Sequence, residues 1–389
     1  MSSIYEAVPL DRDISSTNIR VIEDLVRDAE GRISCKLRTI ELERKFTRPR
    51  KPGLGPEKLE WVDRKDEEPE SYRALSYVWG PPDVGKSILI DGKPFEVRQN
   101  LWNFLNEACA RETLQDANNA HVPRFLWIDA ICIDQSQVKE RNHQVAMMGK
   151  IYSRAYEVLV WLGQSTPLIA ELLYNMHGLE VDEYHKLVWA TEIEPDEKKR
   201  MQSGLEDLCR VEYWERLWVV QEYLLAKRVK IWCGAESVNP EKIKWLVYLE
   251  FKTASLAESC ALELLQGKKV RNAHAEQLSL KRHLDDFGIR MKCTDVRDRV
   301  YGLLALINEK ELETLNIRPN YALTTHDLFF RLYIALHKSG SCTPNELSDY
   351  VETLRLALEL SSHDVVENIR LFLGDHLYNE WVARENQSA

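Results

Sequence analysis

The sequence contains no C-x-x-C and no two cysteines close together. Its eight cysteines (Cys35, Cys109, Cys132, Cys209, Cys233, Cys260, Cys293 and Cys342) are scattered over 389 residues. That spacing argues against a zinc site, so no metal is expected, and it suits reduced thiols in a cytosolic setting. Long apolar runs are missing as well. The longest, such as Val300–Ile307, fall far short of the roughly 20 residues that a membrane-spanning helix needs. Met1 to Asp11 lacks the basic stretch followed by an apolar core that marks a secretory signal, and a cytoplasmic location is expected. Positive charge is not in excess: 52 Lys and Arg stand against 62 Asp and Glu, a formal net charge of −10. Nucleic-acid binding, which needs a concentrated positive surface, is therefore not expected. The basic stretches Arg38–Lys51 and Lys268–Arg271 are short, lie near acidic segments and read as solvated loops. No internal repeat or low-complexity tract is present.

The residues themselves, 44% hydrophobic and 29% charged with eleven tryptophans, describe a globular chain long enough for one large domain or two ordinary ones. Residues 1–70 read as a β-containing lead-in, with Ile33–Leu42 mixing apolar and charged residues, followed by a polar loop at Arg48–Glu70. A compact α/β region spans 71–237. Arg73–Trp79 is an apolar run ending at Gly80-Pro81-Pro82, as a buried strand ends at a turn. Ser87–Val97 alternates around Asp91-Gly92 and predicts a hairpin. Asn100 is placed to cap a helix whose apolar face is Leu101, Phe104, Leu105 and Ala108. Phe125–Ile133 reads as a second buried strand. A helix carrying Val145, Met148, Tyr152 and Ala155 on one face follows, and then a third strand, Val158–Leu162. Strand, helix and strand at these lengths imply parallel pairing through crossover helices. Residues 165–200 read as an insertion of short helices and acidic loops. Val211–Lys227 predicts a helix and Val229–Cys233 a strand. Residues 238–389 read as helical throughout, with Thr294-Asp295 able to cap a helix bearing Val296, Val300, Leu303 and Leu304.

Gly80-Pro-Pro-Asp-Val-Gly85-Lys86-Ser87 matches the phosphate-binding pattern G-x-x-x-x-G-K-[ST] letter for letter, and Phe125–Asp129 resembles the apolar strand ending in aspartate that accompanies it. The pattern works because its backbone N–H groups and the N-terminus of the helix that follows cradle phosphates. Here Ser87 leads into the hairpin, and the Asp91-Gly92 turn falls where that helix belongs. A P-loop NTPase acting through Lys86 is therefore the less favoured alternative.

Three segments together resemble the fungal heterokaryon-incompatibility (HET) domain. The first is Tyr72-Arg-Ala-Leu-Ser-Tyr-Val-Trp-Gly80, with Ile90-Asp-Gly92 and Asn100-Leu101 downstream. The second is Leu126-Trp-Ile-Asp-Ala-Ile-Cys-Ile-Asp-Gln135, continuing through Glu140-Arg141, Gln144-Val145, Met148 and Ile151-Tyr152 to Trp161-Leu162-Gly163. The third is Trp214-Glu-Arg-Leu-Trp218-Val-Val-Gln-Glu222, then Cys233-Gly234. Asp134 stands where the family more often has asparagine. Thr294–Leu304 and Ile317–Tyr321 resemble segments that follow the HET core in many fungal proteins. The resemblance implies a TIR/flavodoxin-like parallel sheet flanked by helices, with a β-hairpin insertion and a mostly helical C-terminal extension. It also implies a self/non-self recognition module that self-associates, meets protein partners of an incompatibility pathway and triggers regulated cell death. HET domains look remotely similar to TIR domains, some of which cleave NAD⁺ with a glutamate in a W-x-x-x-E pattern. Trp218-Val-Val-Gln-Glu222 matches that pattern. NAD⁺ then enters as a substrate, and no cofactor is required.

Two readings of Glu222 stand side by side. Its neighbours one turn away are Trp218, Leu225 and Ala226, and a carboxylate in an apolar stripe is costly unless it is paired, protonated or functional. In one reading it pairs with a buried arginine, Arg216 or Arg141. In the other it is catalytic, stabilising the oxocarbenium-like centre formed as nicotinamide leaves the ribose. Because the leaving group is already cationic, no separate general acid is needed. Doubly wound sheets bind ligands at the carboxyl ends of their strands, which singles out Ser76, Trp79 and Gly80 after the first strand and Asp129 after the second, with Trp218 beside Glu222. Ser76 can bond a ribose or phosphate, Trp79 can stack on a flat ring, and Asp129 can hold a ribose hydroxyl. Each also has a structural reading: Trp79 as turn packing, Ser76 as a backbone-bonding strand end, Asp129 as a cap or ion-pair partner. Arg141 reads as a core ion-pair partner, and Cys132, with no histidine near it in sequence, as a small buried residue.

Overall fold

A computed structural model of the chain describes residues 4–10, 16–42, 71–83, 85–111, 123–181, 187–189, 194–249, 259–273, 278–365 and 369. The polar loop expected at Arg48–Glu70 lies outside the described residues. The chain divides into two compact units. One comprises Met1–Met147, Ser153–Gln164 and Lys227–Ala235; the other comprises Met148–Tyr152, Ser165–Ala226 and Glu236–Ala389.

In chain order the strands are β1 (Asn18–Arg27), β2 (Ile33–Glu41), β3 (Tyr72–Tyr77), β4 (Gly85–Ile90), β5 (Lys93–Arg98), β6 (Phe125–Trp127), β7 (Glu157–Trp161), β8 (Leu179–Val181), β9 (Leu187–Trp189), β10 (Val229–Cys233) and β11 (Glu236–Val238). The strands of the first unit form a mixed sheet in the order β10-β7-β3-β6-β1-β2-β4-β5. Its centre is parallel: β10 with β7, β7 with β3, and β3 with β6. Numbered by their position in the chain, these four strands lie in the order 2-1-3-4, the flavodoxin-like arrangement, with the topological switch point between β3 and β7. Beyond β6 the sheet continues through β1, antiparallel at Ile22 opposite Leu126, and through β2 to the β4–β5 hairpin. All six residues of β3 are buried, as expected for a strand covered on both faces. The hairpin turns where expected, with Asp91 at φ 51° and Gly92 at φ 73°, the two successive positive values that the tight hairpin turn needs.

Helix α1 (Gln99–Ala110) buries Leu101, Phe104, Leu105 and Ala108, the face its spacing predicted. The ring of Phe104 lies 5.8 Å from Trp161 and 5.7 Å from Trp232. Two expectations change at the next step. Strand β6 ends at Trp127, and Asp129–Cys132 forms a short helix, α2. Its backbone turns because Cys132 N donates to Ile128 O at 2.7 Å and the Asp129 side chain takes Ala130 N at 2.7 Å. Ile128, Ile131, Cys132 and Ile133 are all buried, so apolar residues continue on both sides of Asp129 and the composition does not separate strand from helix. In α3 (Val138–Arg154) the buried positions are Gln144, Met147, Met148, Ile151 and Tyr152, with Ala155 just beyond; Val145 is half-buried. Near the N-terminus, Arg20 is fully enclosed. It bonds Val8 O, Cys132 O and Glu140 while lying 4.7 Å from the Tyr5 ring.

The second unit is mostly helical. It opens with α4 (Pro167–Asn175), capped by Thr166, then the β8–β9 hairpin, which composition did not suggest, and α5 (Pro195–Cys209). The helix expected over Val211–Lys227 is interrupted. A short turn at Glu212–Glu215 is followed by extended backbone at Arg216 and then α6 (Trp218–Leu224). The break forms because Lys292 N donates to Glu215 O and Leu217 N donates to Lys292 O, a two-bond bridge from a distant segment. From Pro240 onward the regular elements of the described residues are helices, but 289–297 and 316–324 are turns and loops, so the region is not helical throughout. Thr324 and Thr343 each complete a capping box, with Asp327 and Glu346 respectively. Thr294-Asp295 caps no long helix. Asp295 holds Arg297 in a tight turn ahead of the short helix Asp298–Tyr301.

Candidate functional site

At the switch point of the parallel sheet, β3 runs out into Val78-Trp79-Gly80 and β7 into Leu162-Gly163. Asn100, in the first turn of α1, joins the two strand ends. Its Nδ2 donates to Val78 O at 2.6 Å, and its Oδ1 accepts from the fully buried Trp161 Nε1 at 2.9 Å. Gly80 and Gly163 both adopt positive φ, 73° and 98°, and both abut this asparagine: a Cβ at either would lie 3.7 Å from the Asn100 side chain. The two glycines let the chain leave β3 and β7 in directions that L side chains resist. Asn100 therefore does not cap the helix. Arg98 occupies the N-cap position without a side-chain cap bond, and the amide of Asn100 is committed to the strand ends.

Trp79 is clamped from two sides. Its Nε1 donates to Asp129 Oδ2 at 2.8 Å, and the Arg98 guanidinium lies 5.1 Å from its ring centre while donating to Gly80 O at 2.6 Å. Asp129 uses its other oxygen on Ala130 N, and its own carbonyl accepts from Gln135 Nε2. Ser76 lies inside β3, opposite Val160 of β7, and is buried. Of the residues singled out in sequence, Ser76, Trp79, Gly80 and Asp129 thus fall in the first unit at the carboxyl ends of adjacent strands. Trp79 and Asp129 are bonded to each other.

Trp218 and Glu222 belong to the second unit. Trp218 Nε1 donates to Asp298 Oδ2 at 3.0 Å, and the other oxygen of Asp298 takes the Tyr321 hydroxyl at 2.6 Å. Burial pushes the Asp298 carboxyl above its ordinary range, against the lowering influence of these two donors. Arg297 secures the surrounding turn by pairing with Asp295 and donating to the carbonyls of Tyr321 and Leu323. Nothing in the Thr294–Leu304 string signals that its Asp298 receives the indole of Trp218. One turn after Trp218, Glu222 is only 4% exposed, with Val219, Val220 and Tyr223 of the same helix buried around it.

The segment resembling a phosphate loop is built differently. Gly85–Ile90 is a strand, and Lys86 sits opposite Val97 in the β4–β5 ladder, with its ammonium 5.4 Å from the Trp102 ring. No helix N-terminus follows Ser87, so the backbone arrangement that cradles phosphate is not formed there. Among the described residues, no group of three or more His, Cys, Asp or Glu side chains is placed to hold a metal ion, and no helix is long and apolar enough to cross a membrane.

Residues 72–222, which span the switch point and end on Glu222, match the family model described as heterokaryon incompatibility protein (HET). The chain is similar to heterokaryon incompatibility protein 6, OR allele, of Neurospora crassa, at 26% identity over 318 residues. That match covers 66% of this chain and 45% of the relative, so the chain spans less than half of the relative's length. No solved structure matches. The order of motifs, the parallel sheet they build and these matches agree: residues 72–222 resemble the HET domain of fungal incompatibility proteins.

Proposed function

We propose that this chain works in heterokaryon incompatibility as a cytoplasmic self/non-self module, one that associates with itself and with pathway partners and triggers regulated cell death. The HET match over residues 72–222 carries this reading, together with the similarity to an incompatibility protein. The net charge of −10 suits a protein partner better than nucleic acid. The reading is tested by inducible expression in a filamentous fungus, scoring growth arrest and dye uptake. Tagged copies are co-precipitated in parallel. Loss of viability with self-association is expected; normal growth at high expression would sink the proposal.

A more specific reading gives the module a chemistry, NAD⁺ cleavage in the manner of TIR domains. One observation favours it: the Glu222 carboxylate is held in a nearly dry setting on a Trp-x-x-x-Glu helix. In that reaction the ribose C1′–N bond breaks and its electron pair leaves with neutral nicotinamide. Glu222 stabilises the cationic C1′ until water adds and a proton is lost to solvent. A water-poor environment strengthens that stabilisation. The Trp218 indole, already donating to Asp298, orients the helix that carries Glu222. Purified protein is incubated with NAD⁺ and nicotinamide release followed for wild type and Glu222→Gln, with circular dichroism confirming that the variant is folded. Release by wild type alone supports the chemistry. If neither protein releases nicotinamide while wild type is oligomeric and toxic, the module signals by association alone.

A further inference from the structure

A cavity lies at the opposite end of the sheet from the switch point, at the amino ends of β3 and β6. It has a volume of about 290 Å³ and is lined by Ile22, Leu25, Val26, Pro123, Phe125 and Leu126, together with Arg73, Arg124 and Asp24. Sites for small organic ligands run from roughly 300 Å³ upward and combine apolar walls with a few polar groups; this cavity falls at the small end of that range.

Its charged residues are unevenly matched. The Arg73 side chain is only 9% exposed, and burial pulls its guanidinium below the ordinary value. Its counter-ion, Glu157, is opposite it in the β3–β7 ladder with the nearest oxygen 3.7 Å from Nε, and that Nε has no hydrogen-bond partner. A buried guanidinium whose nearest carboxylate is 3.7 Å away and whose Nε–H is unbonded is costly, because that donor goes unanswered. At the rim, Arg124 is exposed and makes no ion pair among the described residues. Arg38 lies 5.2 Å from the Phe125 ring and pairs with Glu23 at 3.7 Å. The acidic wall residue, Asp24, is held by Lys36 at 2.8 Å. Those pairs cancel, and among the described residues Arg124 has no ion-pair partner beside a cavity that contains the under-bonded Arg73.

We propose that this cavity binds a small monocarboxylate with a compact apolar body, its carboxylate received by Arg73 and Arg124 and its hydrocarbon part resting on Leu25, Val26, Pro123 and Phe125. The planar fork of arginine matches a carboxylate in geometry, and the apolar walls reward a short chain or single ring while a bare inorganic anion leaves them empty. Neither cell-death signalling nor NAD⁺ chemistry is assumed. The site lies wholly in the first unit and contains none of the residues assigned to either.

Calorimetric titration of the full chain tests this with hexanoate and phenylacetate as probes, against methyl hexanoate and inorganic phosphate. Binding of the carboxylates with no detectable binding of the ester or of phosphate is expected. Arg73→Met, which keeps the bulk of the stem and removes the buried charge, is expected to weaken hexanoate binding on the order of 10- to 100-fold, the value of a hydrogen bond to a charged group. Arg124→Ser, at an exposed position, is expected to weaken it severalfold and to flatten its salt dependence, with no change in fold. Equal binding of ester and acid overturns the proposal, as do binding of phosphate alone and no binding by either carboxylate. If Arg73→Met does not fold, the Arg124→Ser result decides: unchanged affinity and salt dependence refute the assignment.

Discussion

Replacing Asn100 with alanine removes two hydrogen bonds that join the ends of β3 and β7. The Trp161 Nε1–H is the more consequential loss, because Trp161 is fully buried and its proton then has no acceptor. Stranding a buried donor costs about 1–3 kcal/mol, and losing the bond to the Val78 carbonyl, which is only half-buried, adds about 1 kcal/mol. Alanine's better helix propensity returns a few tenths of a kcal/mol. The net expectation is a loss of about 2–4 kcal/mol, which at roughly 2–4 °C per kcal/mol for a unit of this size is plainly visible in a thermal melt. Trp161→Phe isolates the pair, since it keeps an aromatic ring against Phe104 while deleting the donor. Urea unfolding followed by far-UV circular dichroism, run on wild type, both single variants and the double variant, should give a coupling energy of about 0.5–3 kcal/mol. Asn100→Asp keeps the acceptor for Trp161 but turns a carboxylate toward the Val78 carbonyl, so it should lose stability while retaining the coupling. Strict additivity of Asn100→Ala and Trp161→Phe, within about 0.3–0.5 kcal/mol, would falsify the claim that this asparagine ties the two strands.

Asp298 predicts a pH dependence. Burial raises its folded pKa above the unfolded value of 3.8, so the folded state holds this proton more tightly. The stability it contributes is full below that unfolded value and is lost as pH rises through the folded one. Urea midpoints measured between pH 3.5 and 7 should therefore slope less steeply downward in Asp298→Asn than in wild type; identical slopes refute the assignment. The buried thiols of Cys35, Cys132, Cys209 and Cys233 are each pushed up to about 12 by burial. Iodoacetamide at pH 8 should thus leave these four unmodified in the native protein, with unfolding exposing all of them to labelling. Mass spectrometry of the native digest checks this, and native labelling of Cys132 would contradict it.

Legibility in the sequence followed how local each determinant is. The face of α1 at Leu101, Phe104, Leu105 and Ala108 and the hairpin at Asp91-Gly92 are set by residues within one or two turns of each other, and both formed as their spacing predicted. Two of the misread elements show why others were not legible. Arg216 is extended because Lys292 bridges to it, and no pattern near residue 216 announces a partner so far along the sequence. The run from Phe125 to Ile133 has buried apolar residues in both of its conformations, so its hydrophobicity does not show where strand gives way to helix at Asp129. The site was legible in the same uneven way. In the sequence Trp79 and Asp129 stand out separately, each as a ligand contact. That they are bonded to each other follows from β3 and β6 being neighbours in the sheet, with Tyr72 opposite Phe125 and the two loops emerging side by side.

Gly80 shows how one residue supports two incompatible readings until the next element is known. As the first glycine of G-x-x-x-x-G-K-S it belongs to a phosphate cradle, and that cradle requires the chain after Ser87 to turn into a helix with its free N–H groups converging on one point. Those same residues are spent in a ladder instead: Lys86 lies opposite Val97, Ile88 opposite Phe95, and Ile88 and Ile90 face inward. A backbone that donates across a sheet cannot also direct its amides at an anion. What remains for Gly80 is its φ of 73°, its carbonyl bonded to Arg98 and its closeness to Asn100. Each of these aims the chain out of β3 at the point where the strand order reverses. The glycine matters to the carboxyl edge of the sheet, where doubly wound folds place their ligands, and substituting it should disturb Trp79 and Asn100 long before Lys86.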